Sequence, residues 1–141
     1  MQHKNIIITG ATDGIGLAAA KSIAKKGYHV SLVGRNPDKG KKALETIISH
    51  SGNENLNFFE CDLSLVANVK DLADRIKQKH SKIDVLLNNA GGANKTKQIT
   101  TEGLEKTFAT NQMNYFVLST ELLEIISESN DGRIVNVASN A

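Results

Sequence analysis

Thr9-Gly10-Ala11-Thr12-Asp13-Gly14-Ile15-Gly16 is the stretch on which the reading of the fold turns. It follows Asn5–Thr9, a β-branched run that reads as a buried strand. It opens a helical segment over residues 14–26, with Ile15, Ala19 and Ile23 on one face and Gly27 as a stop signal. Each glycine has a physical task. Gly10 can make the tight turn out of the strand, Gly14 lets the backbone approach a pyrophosphate, and Gly16 lets the helix pack closely on the sheet. The free N–H groups and positive dipole end of a helix starting here suit phosphate oxygens. The spacing is G-x-x-x-G-x-G, a variant of the common G-x-G-x-x-G dinucleotide fingerprint.

The rest of the chain continues the alternation of strand and helix. Residues 29–33 read as a second strand. Asn36 and Pro37 read as the cap and first residue of a helix with Ala43, Leu44, Ile47 and Ile48 on its apolar face. Leu56–Glu60 is a third strand. Ser64 is placed to cap a helix whose stripe is Val66, Val69, Leu72, Ala73 and Ile76. Residues 83–87 form a fourth strand, a loop with Gly91 and Gly92 follows, and a long helix spans about residues 101–126. Residues 133–138 form a fifth strand. Continuous apolar strands alternating with helices predict an α/β fold: a Rossmann-type, doubly wound parallel sheet of five strands with helices on both faces. Residues 1–141 are expected to form a single dinucleotide-binding domain.

Composition excludes several other classes. Of 141 residues, 40% are apolar and 23% charged, as in ordinary globular proteins. A formal net charge of +2 is too small to imply nucleic acid or an anionic membrane as partner. Cys61 is the single cysteine, so no internal disulfide can form. The four histidines lack ligand-like spacing, and no metal is expected. The opening residues are too short and too quickly polar for a signal peptide, and no apolar run approaches the roughly 20 residues of a membrane span. The expectation is a cytoplasmic protein without a membrane or nucleic-acid partner.

Taken together, the motifs resemble the short-chain dehydrogenase/reductase family, and within it the retinol-dehydrogenase-like branch. The glycine spacing preceded by threonine matches. So do Cys61-Asp62-Leu63 after the third strand, Asn88-Asn89-Ala90-Gly91 after the fourth, Asn111 in the long helix, and Arg133-Ile134-Val135-Asn136-Val137-Ala138-Ser139. The resemblance implies hydride transfer between a nicotinamide and a carbonyl or alcohol substrate. It implies cofactor contacts from Gly10, Thr12, Asp13, Gly14, Ile15 and Gly16 in the first loop and from Arg35. Further contacts are implied from Asp62 and Leu63, where the family holds the adenine, and from Asn89, Ala90 and Gly91. It implies that Ser139 positions the substrate oxygen and that Asn111 holds a water in a proton relay. A homo-oligomer is expected for the full-length protein.

The residues themselves add three expectations. Leu104, Phe108, Asn111, Tyr115, Leu118, Leu122 and Ile125 recur at steps of four and three, which puts Asn111 on a core-facing stripe as its one strongly polar member. There it would either tie helix to sheet or serve the relay. Met113, Phe116, Val117 and Leu123 form a second stripe, which the resemblance implies is covered by a partner subunit and which further parts of the same chain could equally cover. At the end of the second strand, Gly34 stands where an acidic residue would bind the 2′-hydroxyl of NAD, and Arg35 follows. That pair favours NADP(H) over NAD(H), because a guanidinium can bond a 2′-phosphate twice.

One element of the family pattern is lacking. In family members a tyrosine gives or takes the proton, and a lysine four residues later lowers its pKa and holds the ribose. Neither Tyr28 nor Tyr115 is followed four residues on by lysine. The fifth strand would also present an exposed apolar sheet edge. The expectation is therefore a fragment, incomplete at its C-terminus, that holds the cofactor-binding half of an oxidoreductase and is inactive alone. A non-catalytic module that binds a dinucleotide or a partner, and a decayed remnant, are the alternatives.

Overall fold

A computed structural model describes residues 3–139. Five parallel strands form one sheet in the order β3-β2-β1-β4-β5. They are β1 (Asn5–Thr9), β2 (His29–Gly34), β3 (Leu56–Glu60), β4 (Val85–Asn88) and β5 (Arg133–Asn136). The chain winds outward from β1 to β3, then crosses to the other side of β1 for β4 and β5. The carboxyl ends of β1 and β4 thus diverge, leaving a crevice at the switch point. The doubly wound sheet expected from the alternation is present.

Period-two alternation along the strands feeds two cores. On one face Ile6, Ile8, Val30 and Leu32 meet α1 (Gly14–Ala24) and α2 (Pro37–Ser51). On the other, Ile7, Val33 and Leu86 meet α3 (Val66–Lys79) and α5 (Asn114–Ser127). At about 25 cal/mol per Å² of apolar surface, these two layers supply most of the drive to fold. Among the described residues no helix is long and apolar enough to cross a membrane.

Three local expectations are corrected. First, α1 buries Gly16, Ala20 and Ala24, one position on from the predicted stripe. Small residues let the helix lie close to the strands, while Ile15 is left 72% exposed. Second, Ser64 does not cap α3, whose N-cap position is Leu65 with no capping side chain. The Ser64 hydroxyl donates to Asp62 Oδ1 at 2.7 Å. The Glu102 carboxylate, far along the chain, accepts from the N–H groups of Val66 and Ala67 instead.

Third, the long helix starts at Lys106, with a short α4 (Lys106–Phe108), and a π-helical turn, Ala109–Met113, separates α4 from α5. A π turn inserts one extra residue and rotates everything before it relative to everything after. The four-and-three count therefore fails upstream. Phe108 is 44% exposed, and Asn111 is exposed as well. Ala109 and Asn114 point into the protein, followed by Leu118 and Leu122. Of the second predicted stripe, Val117 is buried and Met113 packs on the core. Phe116 and Leu123 remain at the surface. Among the described residues β5 stands at the edge of the sheet, with Ile134 and Val135 exposed, as expected.

Candidate functional site

The crevice is built outward from Thr9, the fully buried last residue of β1. Its hydroxyl oxygen accepts from the N–H groups of Asn89 and Ala90, both at 3.0 Å. The Asn89 amide donates back to the carbonyls of Thr9 and Gly10, each at 3.2 Å. The glycine loop after β1 and the loop after β4 are thus locked as one unit. Gly10 sits at φ +65°, and a Cβ there would lie 2.8 Å from the Ala90 Cα. Glycine is required on both counts. Gly16 also fills a close approach, but to a different neighbour than expected: a Cβ would strike the Gly10 carbonyl and the Asn89 amide rather than the sheet. Gly14, at φ +55°, has open space where its side chain would be. The first turn of α1 has no side-chain cap, because Asp13 does not bond back to it. Its N–H groups are available to an anion.

The wall beyond β2 is basic. At Gly34 a Cβ would lie 2.9 Å from Thr12 Cγ2 and 3.3 Å from the Phe58 ring, so any side chain there requires those two to shift. Arg35 follows Gly34. Asn36 caps α2, its side-chain oxygen accepting from Asp38 and Lys39 N–H. The first turn of α2 brings Lys39 to the same wall, 3.6 Å from the Asp13 carboxylate. Both partners of that pair are well exposed, so it contributes little to stability and can yield to a ligand.

Opposite stands Asp62. Burial pushes its carboxyl up, but the Ser64 hydroxyl and N–H, with Arg35 and Lys106 nearby, outweigh that and hold it below the usual range. It is anionic at neutral pH and fixed by its own loop. Burial pushes the neighbouring Cys61 thiol up to about 11, which keeps it protonated at neutral pH.

These walls enclose an open cleft of about 740 Å³, within the size range of small-molecule and cofactor sites. Every predicted cofactor residue lines it except Gly16, which supports the loop from behind. Lys39, Ser64, Lys106 and Thr110 also line it and were not predicted. The signal for Lys39 was available: three residues past a cap that follows Arg35, a helix returns its side chain to the cap's side.

The predicted catalytic residues are not lining residues of this cleft. Asn111 stands on the π turn, where its side chain forms a two-point bond with the Gly92 backbone. Its Nδ2 donates to the Gly92 carbonyl at 2.8 Å, and its Oδ1 accepts from the Gly92 N–H at 3.0 Å. The pair ties the helix to the loop after β4 rather than to the sheet. Ser139 lies exposed three residues past β5. The buried amide on this side is Asn88, whose Nδ2 donates to Ser119 Oγ and Asn136 Oδ1, joining β4, α5 and β5.

A family model for short chain dehydrogenases matches residues 4–141. The chain is 40% identical over 133 residues to dehydrogenase/reductase SDR family member 12 of Bos taurus, covering 94% of this chain and 42% of that protein. It is 34% identical over 138 residues to retinol dehydrogenase 12 of Mus musculus, covering 98% and 44%. The chain thus spans under half the length of these curated relatives. Among solved structures, a short-chain dehydrogenase from Escherichia coli CFT073 complexed with NADPH superposes with a TM-score of 0.84 at 28% identity. The match covers 99% of this chain and 60% of that one. A short-chain dehydrogenase from Sphingobium yanoikuyae in complex with NADPH gives 0.82 at 27% identity, over 97% and 54%. With the glycine loop, the Asn-Asn-Ala-Gly turn and the parallel sheet in place, the chain belongs to the short-chain dehydrogenase/reductase family and resembles its retinol dehydrogenases.

Proposed function

We propose that this chain is the cofactor-binding half of an NADP-dependent oxidoreductase that moves a hydride between nicotinamide and a small-molecule carbonyl or alcohol. The observation that carries the reading is the cleft at the carboxyl ends of β1, β2 and β4, where the uncapped N-terminus of α1 stands beside a wall carrying Arg35 and Lys39. The pyrophosphate would sit on the N–H groups at Gly14–Ile15. The adenine would lie beside Asp62 and Leu63, with the 2′-phosphate between Arg35 and Lys39. The nicotinamide would extend past Asn89–Gly91 toward Ser139, which would position the substrate oxygen. The NADPH in the two solved relatives supports a dinucleotide here, and the paired cations support the phosphorylated form.

Bound NADPH supplies the hydride. The residues of this chain bind and orient it, but none stands as a general acid with a lysine partner. A positioned acid contributes about 10² to 10⁴ in rate. The 141-residue chain is therefore expected to bind NADPH without oxidising it at an enzymatic rate. The test is NADPH oxidation with a panel of aldehydes and ketones, for this chain and for one extended to the length of its relatives. Turnover confined to the longer chain supports the reading, and equal turnover refutes it. A second reading, a non-catalytic module, is favoured by Phe116 and Leu123, which are 66% and 54% exposed on α5 and suit a partner surface such as a second copy. It predicts NADPH binding with no turnover by either chain.

A further inference from the structure

Asp13 stands at the N-cap position of α1 in extended backbone, the place from which an aspartate ordinarily accepts first-turn N–H bonds. Its side chain makes no such bond. Asn36, at the same position on α2, does: its oxygen accepts from the N–H groups of Asp38 and Lys39 at 3.0 and 3.1 Å. The difference lies in the next residue. Gly14, at φ +55°, takes the chain out of the geometry of an ordinary first turn, whereas Pro37 fixes φ near the helical value. The Asp13 carboxylate is left to the cleft that it lines, where it meets Lys39 Nζ at 3.6 Å.

Two features of the backbone bring this pair together. The glycine loop lies against the end of β2, and the lack of a side chain on Gly34 is what admits Thr12 there. The bond from the Lys39 N–H to Asn36 fixes the root of the lysine in the first turn of α2. The neighbouring loop thus supplies the acid that the end of β2 lacks, but this acid faces a cation. An acid beside the adenosine ribose suits a 2′-hydroxyl, and a cation suits a 2′-phosphate. Here the two are paired with each other. The Lys39 side chain is 59% exposed and that of Asp13 75%, so the pair opens at little cost.

We propose that Asp13 is a positioning residue that limits the preference for NADP(H): it pairs with Lys39, and a 2′-phosphate has to compete with its carboxylate for the ammonium. This rests on the cofactor reading above. NADPH gains Lys39 only by opening the pair. NADH has no phosphate at that place and leaves the pair closed. Asp13 therefore weakens the binding of one cofactor through Lys39 and not that of the other.

The test is a double-substitution cycle on the 141-residue chain, read by calorimetric titration with NADPH, NADH and adenosine 2′,5′-bisphosphate. Asp13→Ala should raise the ratio of NADPH to NADH affinity about two- to fivefold, the scale of an exposed ion pair, and should strengthen the bisphosphate likewise. Lys39→Met should lower that ratio. In the Lys39→Met background Asp13→Ala should bring no gain, because no ammonium is left to compete for. A ratio unchanged in either single variant overturns the proposal. A purely structural role for Asp13 gives that result, since it moves both cofactors together. A gain of the same size with and without Lys39 also overturns it, by assigning Asp13 plain repulsion of the phosphate. If the unsubstituted chain binds neither NADPH nor the bisphosphate, the cofactor reading has failed and the proposal with it. If it binds both and the cycle shows no coupling, the proposal alone has failed. Each variant is first melted to show that it folds cooperatively, and Asp13→Asn takes the place of an Asp13→Ala that does not.

Discussion

At the scale of single residues, the proposed preference for NADP(H) over NAD(H) rests on Arg35. It lines the cleft beside Gly34, where any side chain would crowd Thr12 and Phe58. A paired bond to a 2′-phosphate is available to NADPH and not to NADH. Arg35→Ala should cost NADPH binding about 1.5–3 kcal/mol and leave NADH nearly unchanged, as read by fluorescence titration of both cofactors. Equal losses would remove Arg35 as the discriminator. On the same proposal, Lys39 should retain part of the preference in that variant, since it also lines the cleft. The placement of these residues on the cleft was legible in the sequence, because the glycines, Arg35 and the Asn-Asn-Ala-Gly turn stand at fixed offsets from strand ends. The role of Asn89 was less so. Its side chain braces the glycine loop, a tertiary bond across 79 or 80 positions that no local pattern encodes.

At the scale of elements, two of the three departures from expectation arise from long-range or irregular hydrogen bonding. The π turn at Ala109–Met113 shifts the helix phase, which a count assuming 3.6 residues per turn cannot detect. The cap of α3 comes from Glu102 rather than from the neighbouring Ser64, whose hydroxyl is committed to Asp62. A carboxylate on two first-turn N–H groups satisfies orphan donors and complements the helix dipole. Glu102→Ala should therefore lower stability by about 0.5–2 kcal/mol, seen as a lower melting temperature, with Glu102→Gln intermediate. Its effect is expected to extend to the cleft, because α3 directly follows the Asp62–Ser64 wall. A variant as stable as the parent would show that another group caps α3. Strand positions, by contrast, agreed with expectation to within about two residues. Buried β-branched runs between turn signals leave few alternatives.

At the scale of the whole molecule, the two sheet faces and the crevice follow from the order of strands and helices. The buried histidines at the closed end of the sheet were not foreseen. His29, at the start of β2, meets His80, just past α3, edge to face at 4.9 Å between ring centroids. His29 Nδ1 and His80 Nε2 are buried without hydrogen-bond partners. Burial lowers both pKa values, aided by Lys79 and, for His80, by His29, which brings His80 to about 4. The unfolded chain takes up these protons near pH 6.5, whereas the folded chain resists them. Their penalty is thus absent above pH 6.5 and grows as pH falls toward 4, by on the order of 1–2 kcal/mol. Thermal melts from pH 7 to 4.5 should show a steady decline, flatter in His80→Phe. An identical slope in that variant would assign the acid sensitivity to other groups.

The central claim, that the crevice is a dinucleotide site, is tested most directly by melting the 141-residue chain with and without NADPH. Ligand bound only to the folded state raises its stability, by about 2.7 kcal/mol at one hundred times Kd. The account predicts a cooperative transition that moves up with NADPH concentration, and no movement in Gly14→Val, whose side chain would occupy the phosphate approach at a backbone angle valine does not tolerate. A cooperative transition that NADPH leaves in place, or one that rises equally in Gly14→Val, would contradict it.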